Sequence, residues 1–570
     1  MTFRMKYGTK DYENFLLTEI DSQVKEYETL VNTRALVLKA RGDVFVGKFL
    51  TIHENGSAVF KVRNSEDMPR KGSFWTCSYF IGPMGSFKNW GDNSWIELRR
   101  DYQRMFCDCS CQWVAKSDDP EFCLIGIHGL DMEFVSVLEE EKPIISFGPK
   151  DPPLEYLYNL LDIVRCTNSP KAKQILGYEQ DEKPWHPRLV AAEEDFSELM
   201  EGFLSESDIA VIQGPPGTGK TYRMASLASG LLEKGNSVLV TALTNQALME
   251  LAKKKDLELQ VKDGLVSKTS LTYDEIRALP GLLPVLKNEC NSRKGHLTLA
   301  SFYISSGWAK KYGKAMFDYI IMDEASQALL PMIAAARSLG SKIILIGDQN
   351  QLSPIVITNE DVISRKGWGE MISGFKTVCR YFDFPSAMLK DSFRLTKRAA
   401  AFTGVFYNGQ LDSRSNIESV PSSNPVLELA GGPVFVPIDM EYGNKADSRS
   451  VTTIVKFVDA LRQENPKAQI AVLSKFRESV REILHGFITQ SAIGINDALR
   501  VDTVDKVQGL TVDYCIFFIP NSSVRYSLCE DLFNVATSRA IYNTIIFGNR
   551  SIMTENMPGK VRDFLSQLTS

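Results

Sequence analysis

The chain has 570 residues, of which 44% are hydrophobic and 24% are charged, and its net charge at pH 7 is −5. This composition is typical of globular proteins, and the length predicts several domains. The charge excludes a globally basic nucleic-acid protein, although a locally basic groove can still bind phosphates. No apolar run approaches the roughly 20 residues that cross a bilayer, and the stretch MTFRMKYGTKDYENF lacks the apolar core of a signal peptide. We therefore expect a cytoplasmic protein, or a nuclear one if the source is eukaryotic, with no membrane partner.

The amino-terminal part of the chain predicts a small β-barrel between two helices. Apolar residues recur every three or four positions from Leu16 to Val31, which predicts an amphipathic helix within residues 1–35. Residues 36–147 contain short apolar runs separated by turn residues, a pattern typical of a β-barrel. The runs that predict strands are ALVLKA, DVFVGKFLTIH, SAVFKVR, FCDCSCQWVA and FCLIGIHG. A second amphipathic helix, followed by a linker, is expected within residues 148–192.

The rest of the chain predicts two α/β domains in tandem. Residues 193–384 contain near-continuous apolar runs that are typical of a parallel sheet covered on both faces. These runs are DIAVIQG, SVLVTAL, FDYIIMDE and KIILIGD. A second series lies within residues 385–570 and consists of AQIAVLSK, LRVDTV, DYCIFFIP and NTIIFGN. We assign one domain to each range.

Four of the ten cysteines lie close together, at Cys107, Cys109, Cys111 and Cys123. A metal site and a buried core are the two interpretations. The first three cysteines alternate with polar residues, as do Met105 and Trp113, and this period places them on one face of a strand. Zinc ligands usually come from turns in two spaced pairs, whereas a buried cysteine packs as a small apolar residue. The pattern favours the core.

The stretch VIQGPPGTGKTY, residues 211–222, contains the phosphate-binding pattern G-x-x-x-x-G-K-[ST] between a predicted strand and a predicted helix. The glycines let backbone N–H groups surround the phosphates of ATP. Lys220 adds positive charge at the β and γ oxygens, and Thr221 offers its hydroxyl to Mg²⁺. The predicted nucleotide-binding residues are Gly214, Pro215, Pro216, Gly217, Thr218, Gly219, Lys220 and Thr221.

An acidic pair, Asp323 and Glu324, ends the predicted strand FDYIIMDE. At the carboxyl end of a strand beside the phosphate loop, Asp323 can hold Mg²⁺ and Glu324 can polarise the water that attacks the nucleotide. Such pairs also occur as solvated strand ends, but after a complete phosphate loop the pair indicates an NTP hydrolase. These features alone fit both ring-forming AAA+ remodelling ATPases and nucleic-acid helicases.

Four further runs distinguish the two classes. They are DEASQALLPM, LIGDQNQLSP, TVDKVQGLTVDY and NVATSRA, and they resemble motifs II, III, V and VI of superfamily 1 helicases. The resemblance is to subgroup B, which contains the nonsense-mediated decay helicase and senataxin and whose phosphate loop also reads QGPPGTGKT. The barrel between two helices is similar to that family's stalk and accessory barrel. AAA+ proteins lack these runs and follow the phosphate loop with one α/β unit and a helical lid.

The resemblance implies two tandem RecA-like P-loop domains of α/β type, with an N-terminal helical stalk and a small β-barrel accessory domain. It implies that Gln349 or Gln351 senses the γ-phosphate, and the alignment favours Gln351. It assigns Arg394 of DSFRL and the arginine finger Arg539 of NVATSRA to the same phosphate, and it places Gly509 of motif V at the nucleotide.

The resemblance also implies contacts to single-stranded nucleic acid, mostly to its backbone and therefore with little sequence preference. The implied residues are Thr244, Asn245, Ser301, Ser474 and Thr503. The alternative is that these small polar residues at strand ends only cap helices.

Together these features predict a monomeric, Mg²⁺- and ATP-dependent helicase or translocase that moves 5′-to-3′ on single-stranded or tailed duplex DNA or RNA. Two alternatives stay open, an AAA+-like protein remodeller and a nucleotide-switched clamp that binds nucleic acid without unwinding it. The family reads adenine with a glutamine upstream of the phosphate loop. Because residues 181–212 contain no glutamine, other NTPs also stay candidates.

Overall fold

A computed structural model describes the chain over residues 6–63, 69, 71–81, 90–166, 168–178, 181–496, 498–554, 557 and 559–568. It divides into two compact units. The first holds the residues up to Thr29 with Asp151–Leu271 and Glu275–Lys390, and the second holds Leu30–Lys150, Thr272–Asp274 and the residues from Asp391 onward. Across the described residues, no helix combines the length and the apolar character that a bilayer span requires.

In the described part of the second unit, six antiparallel strands close into a barrel. They are β1 (Phe45–Ile52), β2 (Ala58–Arg63), β3 (Phe74–Phe80), β4 (Gln103–Lys116), β5 (Phe122–His128) and β6 (Ile144–Gly148). Their order is β1-β2-β5-β4-β3-β6. Aromatic rings fill the interior, where Phe45 stacks on Phe147 with ring centroids 4.5 Å apart. The predicted barrel is present, with β3 and β6 as strands that the sequence pattern missed.

The run ALVLKA forms the helix Ala35–Ala40, so the prediction of a strand there is wrong. A short apolar run has no distinguishing period, and alanine and leucine favour the helix. The buried residues Ala35 and Leu38 are three positions apart, which is the spacing of one helix face.

The clustered cysteines pack in the barrel core, as the alternation predicted. Cys109, Cys111 and Cys123 are at most 4% exposed, and Cys107 lies partly buried against the same core. Burial raises the pKa of the Cys107 and Cys123 thiols to about 12. These two thiols therefore stay neutral and pack as apolar groups.

The alternation predicted through Trp113 is wrong at its last position. A β-bulge between Cys111 and Trp113 inserts an extra residue into β4, so that Val114 joins the core instead. The indole lies over Gly126, where an added Cβ would lie 2.1 Å from the ring. Only a glycine leaves room for this tryptophan.

In the first unit, the described residues form a parallel sheet of nine strands. They are β7 (Arg188–Val190), β8 (Ile209–Gln213), β9 (Val238–Ala242), β10 (Val266–Thr269), β11 (Leu283–Val285), β12 (Leu297–Ser301), β13 (Phe317–Met322), β14 (Gly340–Gly347) and β15 (Ser386–Leu389). Their order is β11-β10-β12-β9-β13-β14-β8-β15-β7. Because all pairings are parallel, the carboxyl ends of the strands lie along one edge of the sheet.

Helices cover this sheet, and they include the two predicted stalk helices, Thr9–Val31 and Leu154–Cys166. Phe15 of the first and Leu160 of the second are fully buried in one core with helix Leu330–Leu339. The other helices in this part of the chain are Pro170–Leu176, Phe196–Glu206, Lys220–Glu233, Asn245–Ala252, Glu258–Lys262, Tyr273–Ala278, Phe302–Tyr312, Glu360–Lys366, Gly369–Ile372 and Gly374–Tyr381.

The first sheet extends beyond the domain limits that the sequence predicts. β7 lies in the predicted linker, and β15 lies after residue 384, yet β15 pairs with both β7 and β8. Strands of three or four residues carry too little periodic signal to be assigned from sequence. The first α/β domain is therefore wider than the range 193–384.

The second unit also contains a parallel sheet of five described strands. They are β18 (Gly432–Pro437), β19 (Ile470–Ser474), β20 (Leu499–Thr503), β21 (Val512–Phe518) and β22 (Ala540–Gly548). Their order in the sheet is β18-β22-β21-β19-β20. Two short strands, β16 (Asp391–Ser392) and β17 (Asp412–Ser413), pair with each other in a separate sheet. Besides Ala35–Ala40, the helices among the described residues of this unit are Trp95–Tyr102, Met132–Glu141, Lys397–Gly404, Ser448–Glu464, Arg477–Gln490, Val524–Ser527, Glu530–Thr537 and Gly559–Ser566. The predicted fold class, two α/β domains with a stalk and a barrel, is confirmed.

The core position of the cysteines predicts the effect of adding a hydroxyl there. Cys111→Ser places a polar group in the barrel interior, and we expect unfolding in urea to become easier by about 1–3 kcal/mol. Cys166→Ser, at an exposed cysteine, serves as the control and leaves the transition unchanged. A zinc chelator that destabilises the unaltered protein as much as Cys111→Ser does would contradict the core assignment.

Candidate active site

The phosphate loop follows the fully buried strand β8 and precedes the helix Lys220–Glu233. Gly217 and Gly219 have φ values of 76° and 77°, which favour glycine. The aliphatic part of the Lys220 side chain passes close to Gly214. A Cβ added at Gly214 would lie 2.3 Å from the Lys220 Cδ, so this position has no room for a side chain. The Lys220 ammonium donates to the Gly214 carbonyl. The loop therefore holds this positive charge beside a helix N-terminus, where phosphates bind.

The acidic pair follows β13, two strands away from β8 in the sheet. Asp323 is 7% exposed, its amide donates to the Thr241 carbonyl on β9, and its Oδ1 accepts the Glu324 N–H at 2.8 Å. Burial raises the pKa of Asp323. Burial and the Asp323 carboxylate raise the pKa of Glu324 to about 8, while Lys220 lowers both values. The two carboxyl groups therefore lie within the electrostatic reach of Lys220 and favour a bound cation.

Thr221 and Asp323, the predicted Mg²⁺ ligands, offer a hydroxyl and a carboxylate. Thr221 is partly buried in the first turn of the helix after the loop, and Asp323 ends a strand of the same sheet. Oxygen donors of this kind suit Mg²⁺, and two buried acids in one place need a compensating positive charge. The residues present fit the metal.

Gln351 is connected to the phosphate-loop strand through the carboxylate of Asp348. This carboxylate accepts from the Gln351 side chain at 2.9 Å, from the Gln213 side chain at 3.2 Å and from the Asn350 N–H at 3.1 Å. Asp348 is only 2% exposed. Sequence reasoning assigned no role to Asp348 and Gln213, although both lie inside the runs that it quoted.

A backbone bond fixes the same neighbourhood. The Gly214 N–H donates to the Gly347 carbonyl at 2.8 Å, which joins the start of the phosphate loop to the end of β14. A Cβ on Gly347 would lie 2.8 Å from the Ser326 nitrogen, so the segment after the acidic pair packs directly on this glycine. The three nucleotide motifs of the first unit thus meet at the ends of β13, β14 and β8.

The second unit brings together the two predicted arginines. Arg539 is 1% exposed and lies between helix Glu530–Thr537 and β22, where its Nε donates to the Val535 carbonyl at 2.8 Å. Its Nη2 donates to the Ser538 hydroxyl at 3.0 Å, and Arg394 donates to the Ser538 carbonyl at 3.2 Å. Burial, and then the charge of Arg539, lower the pKa of Arg394 to about 9. Arg394 stays charged at neutral pH, and the two adjacent guanidinium groups favour an anion.

The third predicted nucleotide residue of this unit is Gly509. It has a φ of 81° and follows the short helical turn Val504–Val507 of motif V. A positive φ explains why this position carries glycine. Its contact with a nucleotide stays a prediction.

The predicted nucleic-acid residues of the first unit lie at the ends of β9 and β12. Thr244 and Asn245 are exposed, and Ser301 is partly buried. Thr244 and Ser301 also cap the helices that follow them, by accepting from the N–H groups of Ala247 and Ile304. Capping leaves the helix N-termini accessible to phosphates, so these contacts stay predictions.

The two predicted nucleic-acid residues of the second unit have buried side chains. Ser474 is fully buried and donates to the Phe518 carbonyl at 3.1 Å, and Thr503 is 3% exposed. Contacts from these two positions stay predictions, and burial favours their backbone groups over their side chains.

The Asp348 network predicts a catalytic effect at a residue to which the motif resemblance assigned no role. Asp348→Asn replaces one carboxylate oxygen by an amide NH₂ group, which cannot accept from the Gln213 or Gln351 side chain. An unsatisfied buried donor costs about 1–3 kcal/mol, so we expect ATP turnover to fall about 5- to 150-fold. Steady-state ATP hydrolysis, with thermal melting as a check on folding, measures this. Asp361→Asn, at an exposed residue after the same loop, is the control. Equal turnover in a folded Asp348→Asn variant would show that the network does not position Gln351.

Comparison with known proteins supports the assignment made from motifs and geometry. Two family models, each described as an AAA domain, match residues 192–358 and 371–551. The DNA replication ATP-dependent helicase/nuclease DNA2 of Bos taurus is 24% identical over 422 residues, which cover 65% of this chain and 38% of that protein. The ATP-dependent helicase NAM7 of Saccharomyces cerevisiae is 23% identical over 409 residues, which cover 61% of this chain and 41% of that protein.

Among solved structures, the Arterivirus nonstructural protein 10 (helicase) is 11% identical, covers 88% of this chain and 77% of that chain, and has a TM-score of 0.36. The chain spans about two fifths of the length of the curated relatives DNA2 and NAM7. The two family models fall in the two α/β domains. These models and the ATP-dependent helicase relatives agree with the resemblance to superfamily 1 helicases of subgroup B, the group of the nonsense-mediated decay helicase and senataxin.

Proposed function

We propose that this protein hydrolyses ATP to move 5′-to-3′ along single-stranded nucleic acid and to separate duplexes, and that it does so as a monomer. The order of the strands in the first sheet carries the proposal. The nucleotide motifs end β8, β14 and β13, and the predicted nucleic-acid contacts end the next strands, β9 and β12. The two sites therefore share one edge of one sheet.

A direct bond joins these two groups of strands. The Asp323 N–H donates to the Thr241 carbonyl at 2.9 Å, three residues before Thr244 in the chain. A shift of the acidic pair when the nucleotide changes therefore displaces the end of β9. Coupling of this kind between packed elements is what a motor requires.

In the proposed hydrolysis, the loop amides and Lys220 bind the β- and γ-phosphates. A water molecule attacks the γ-phosphorus, the bond to the β-γ bridging oxygen breaks, and Glu324 accepts the proton of the water. Burial and the Asp323 carboxylate raise the pKa of Glu324 to about 8, whereas the charge of Lys220 lowers it toward the ionised form that accepts a proton. Mg²⁺ held by Thr221 and Asp323 would neutralise charge on the phosphates.

The resemblance to superfamily 1 helicases implies that the γ-phosphate contacts Gln351, Arg394 and Arg539. Loss of that phosphate removes the partner that the two guanidinium groups favour, and this change is the proposed switch between gripping and releasing a strand. Opening one duplex step costs about 1.4 kcal/mol on average, and stacking a base on an aromatic ring returns roughly 1–3 kcal/mol. A motor that traps single strands can therefore open a duplex in small steps.

The alternatives make different predictions. A ring-forming remodeller has one α/β unit and a helical lid, whereas this chain has a second parallel sheet of five described strands. A clamp without unwinding needs the same two domains, so only a measurement of strand separation distinguishes it from a helicase.

The decisive experiment uses DNA and RNA duplexes with a 5′ or a 3′ tail, each with ATP, GTP or no nucleotide. We expect 5′-tailed duplexes to be separated when ATP and Mg²⁺ are present. Removal of Mg²⁺ with a chelator, and Lys220→Ala, should each abolish turnover. If no tailed substrate stimulates hydrolysis, the motor proposal fails, and if stimulation occurs without strand separation, the protein is a clamp.

The arginine finger is tested separately. Arg539→Ala should lower kcat for ATP by roughly 10³- to 10⁵-fold with a smaller change in KM, because the charge acts in the transition state. Arg481→Ala, at a half-exposed arginine of the same unit, is the control. Normal kcat in a folded Arg539→Ala variant would remove this residue from the mechanism.

A further inference from the structure

A carboxylate in the middle of the first stalk helix has an unusual environment. Glu19 lies on the helix Thr9–Val31, an otherwise partly exposed element, and is only 1% exposed. Its two oxygens accept from the Ile357 N–H at 2.9 and 3.1 Å, from the Thr358 N–H at 2.9 Å and from the Thr358 hydroxyl at 2.6 Å. The Gln23 side chain adds a bond at 2.8 Å.

These bonds attach the helix to one loop in a defined position. A buried carboxylate is stable only when donors replace the water that it loses, and here backbone N–H groups of the loop are those donors. An apolar side chain could fill the same space but would let the loop slide. The arrangement therefore fixes the backbone at Ile357 and Thr358 relative to the helix.

The loop that Glu19 holds is the one that carries Gln351. At its start, Asp348 connects Gln351 to the phosphate-loop strand. Next to Gln351, the Leu352 carbonyl accepts from the Gln327 side chain at 2.9 Å, and Gln327 follows the acidic pair. One end of the segment 348–358 is thus attached to the nucleotide motifs and the other end to the stalk helix.

We propose that Glu19 is a positioning residue that transmits the nucleotide state sensed by the Gln351 loop to the first stalk helix. The chain leads from this helix through the short helix Ala35–Ala40 to the first barrel strand, so movement of the stalk helix would change how the barrel contacts nucleic acid during each ATP cycle. This inference rests on the proposed motor function. The predicted loss is in coupling and not in nucleotide binding, because Glu19 contacts neither the phosphate loop nor the acidic pair.

The test replaces Glu19 by glutamine, which keeps the size of the side chain but replaces one carboxylate oxygen by an amide NH₂ group. This group cannot accept from the Ile357 or Thr358 N–H. We expect the ratio of nucleic-acid-stimulated to basal ATP turnover to fall at least about fivefold, the lower range of typical coupling between sites. Glu26→Gln, at an exposed glutamate of the same helix, should keep the ratio of the unaltered protein. A role in folding alone lowers both turnover rates together and leaves their ratio unchanged.

Thr358→Val provides a milder variant that removes one donor to the same carboxylate. It should lower the ratio in the same direction, and the double variant should lower it no further than Glu19→Gln alone, because both act on one contact. A ratio within about twofold of the unaltered protein in folded Glu19→Gln or Thr358→Val would overturn the inference. If nucleic acid does not stimulate the unaltered protein at all, the proposed function fails instead.

Discussion

The nucleotide-binding end of the first unit depends on the hydrogen bonds that the Asp348 carboxylate accepts. They join Gln213, the last residue before the phosphate loop, to Gln351 of the next motif. The Gly214-to-Gly347 backbone bond runs beside them. Because β8 and β14 are neighbouring strands, these contacts fix the start of the phosphate loop relative to the sensor loop. Lys220 follows β8 and the acidic pair follows β13, and β14 lies between these two strands in the sheet.

Each of the two units holds a cluster of like charges. In the first unit, burial raises the pKa of Asp323 and Glu324, so the ionised carboxylates are unfavourable without a cation. In the second unit, two guanidinium groups meet at Ser538 and burial lowers the pKa of Arg394. A cation relieves the first cluster and an anion relieves the second.

The sequence predicted the parts of the site that local signals encode. The phosphate loop, the acidic pair and the strands that precede them lie where the patterns placed them, because each signal spans only a few consecutive residues. The predictions failed where the signal was short or interrupted. The run ALVLKA has no distinguishing period, β15 has four residues, and one bulge in β4 exchanged Trp113 for Val114 in the core.

The sequence by itself determined the class of chemistry, because a phosphate loop and its acids are recognised from residue types at fixed spacing. The tertiary structure decided how these parts are connected. Asp348 joins Gln213 to Gln351 only because β14 lies beside β8, and the side chain of Ser474 is buried only because β19 packs between β20 and β21. Glu19 and Thr358 are 339 positions apart in the chain. No local pattern specifies such a pair, since only the packing of the stalk helix on the first sheet brings the carboxylate to its donors.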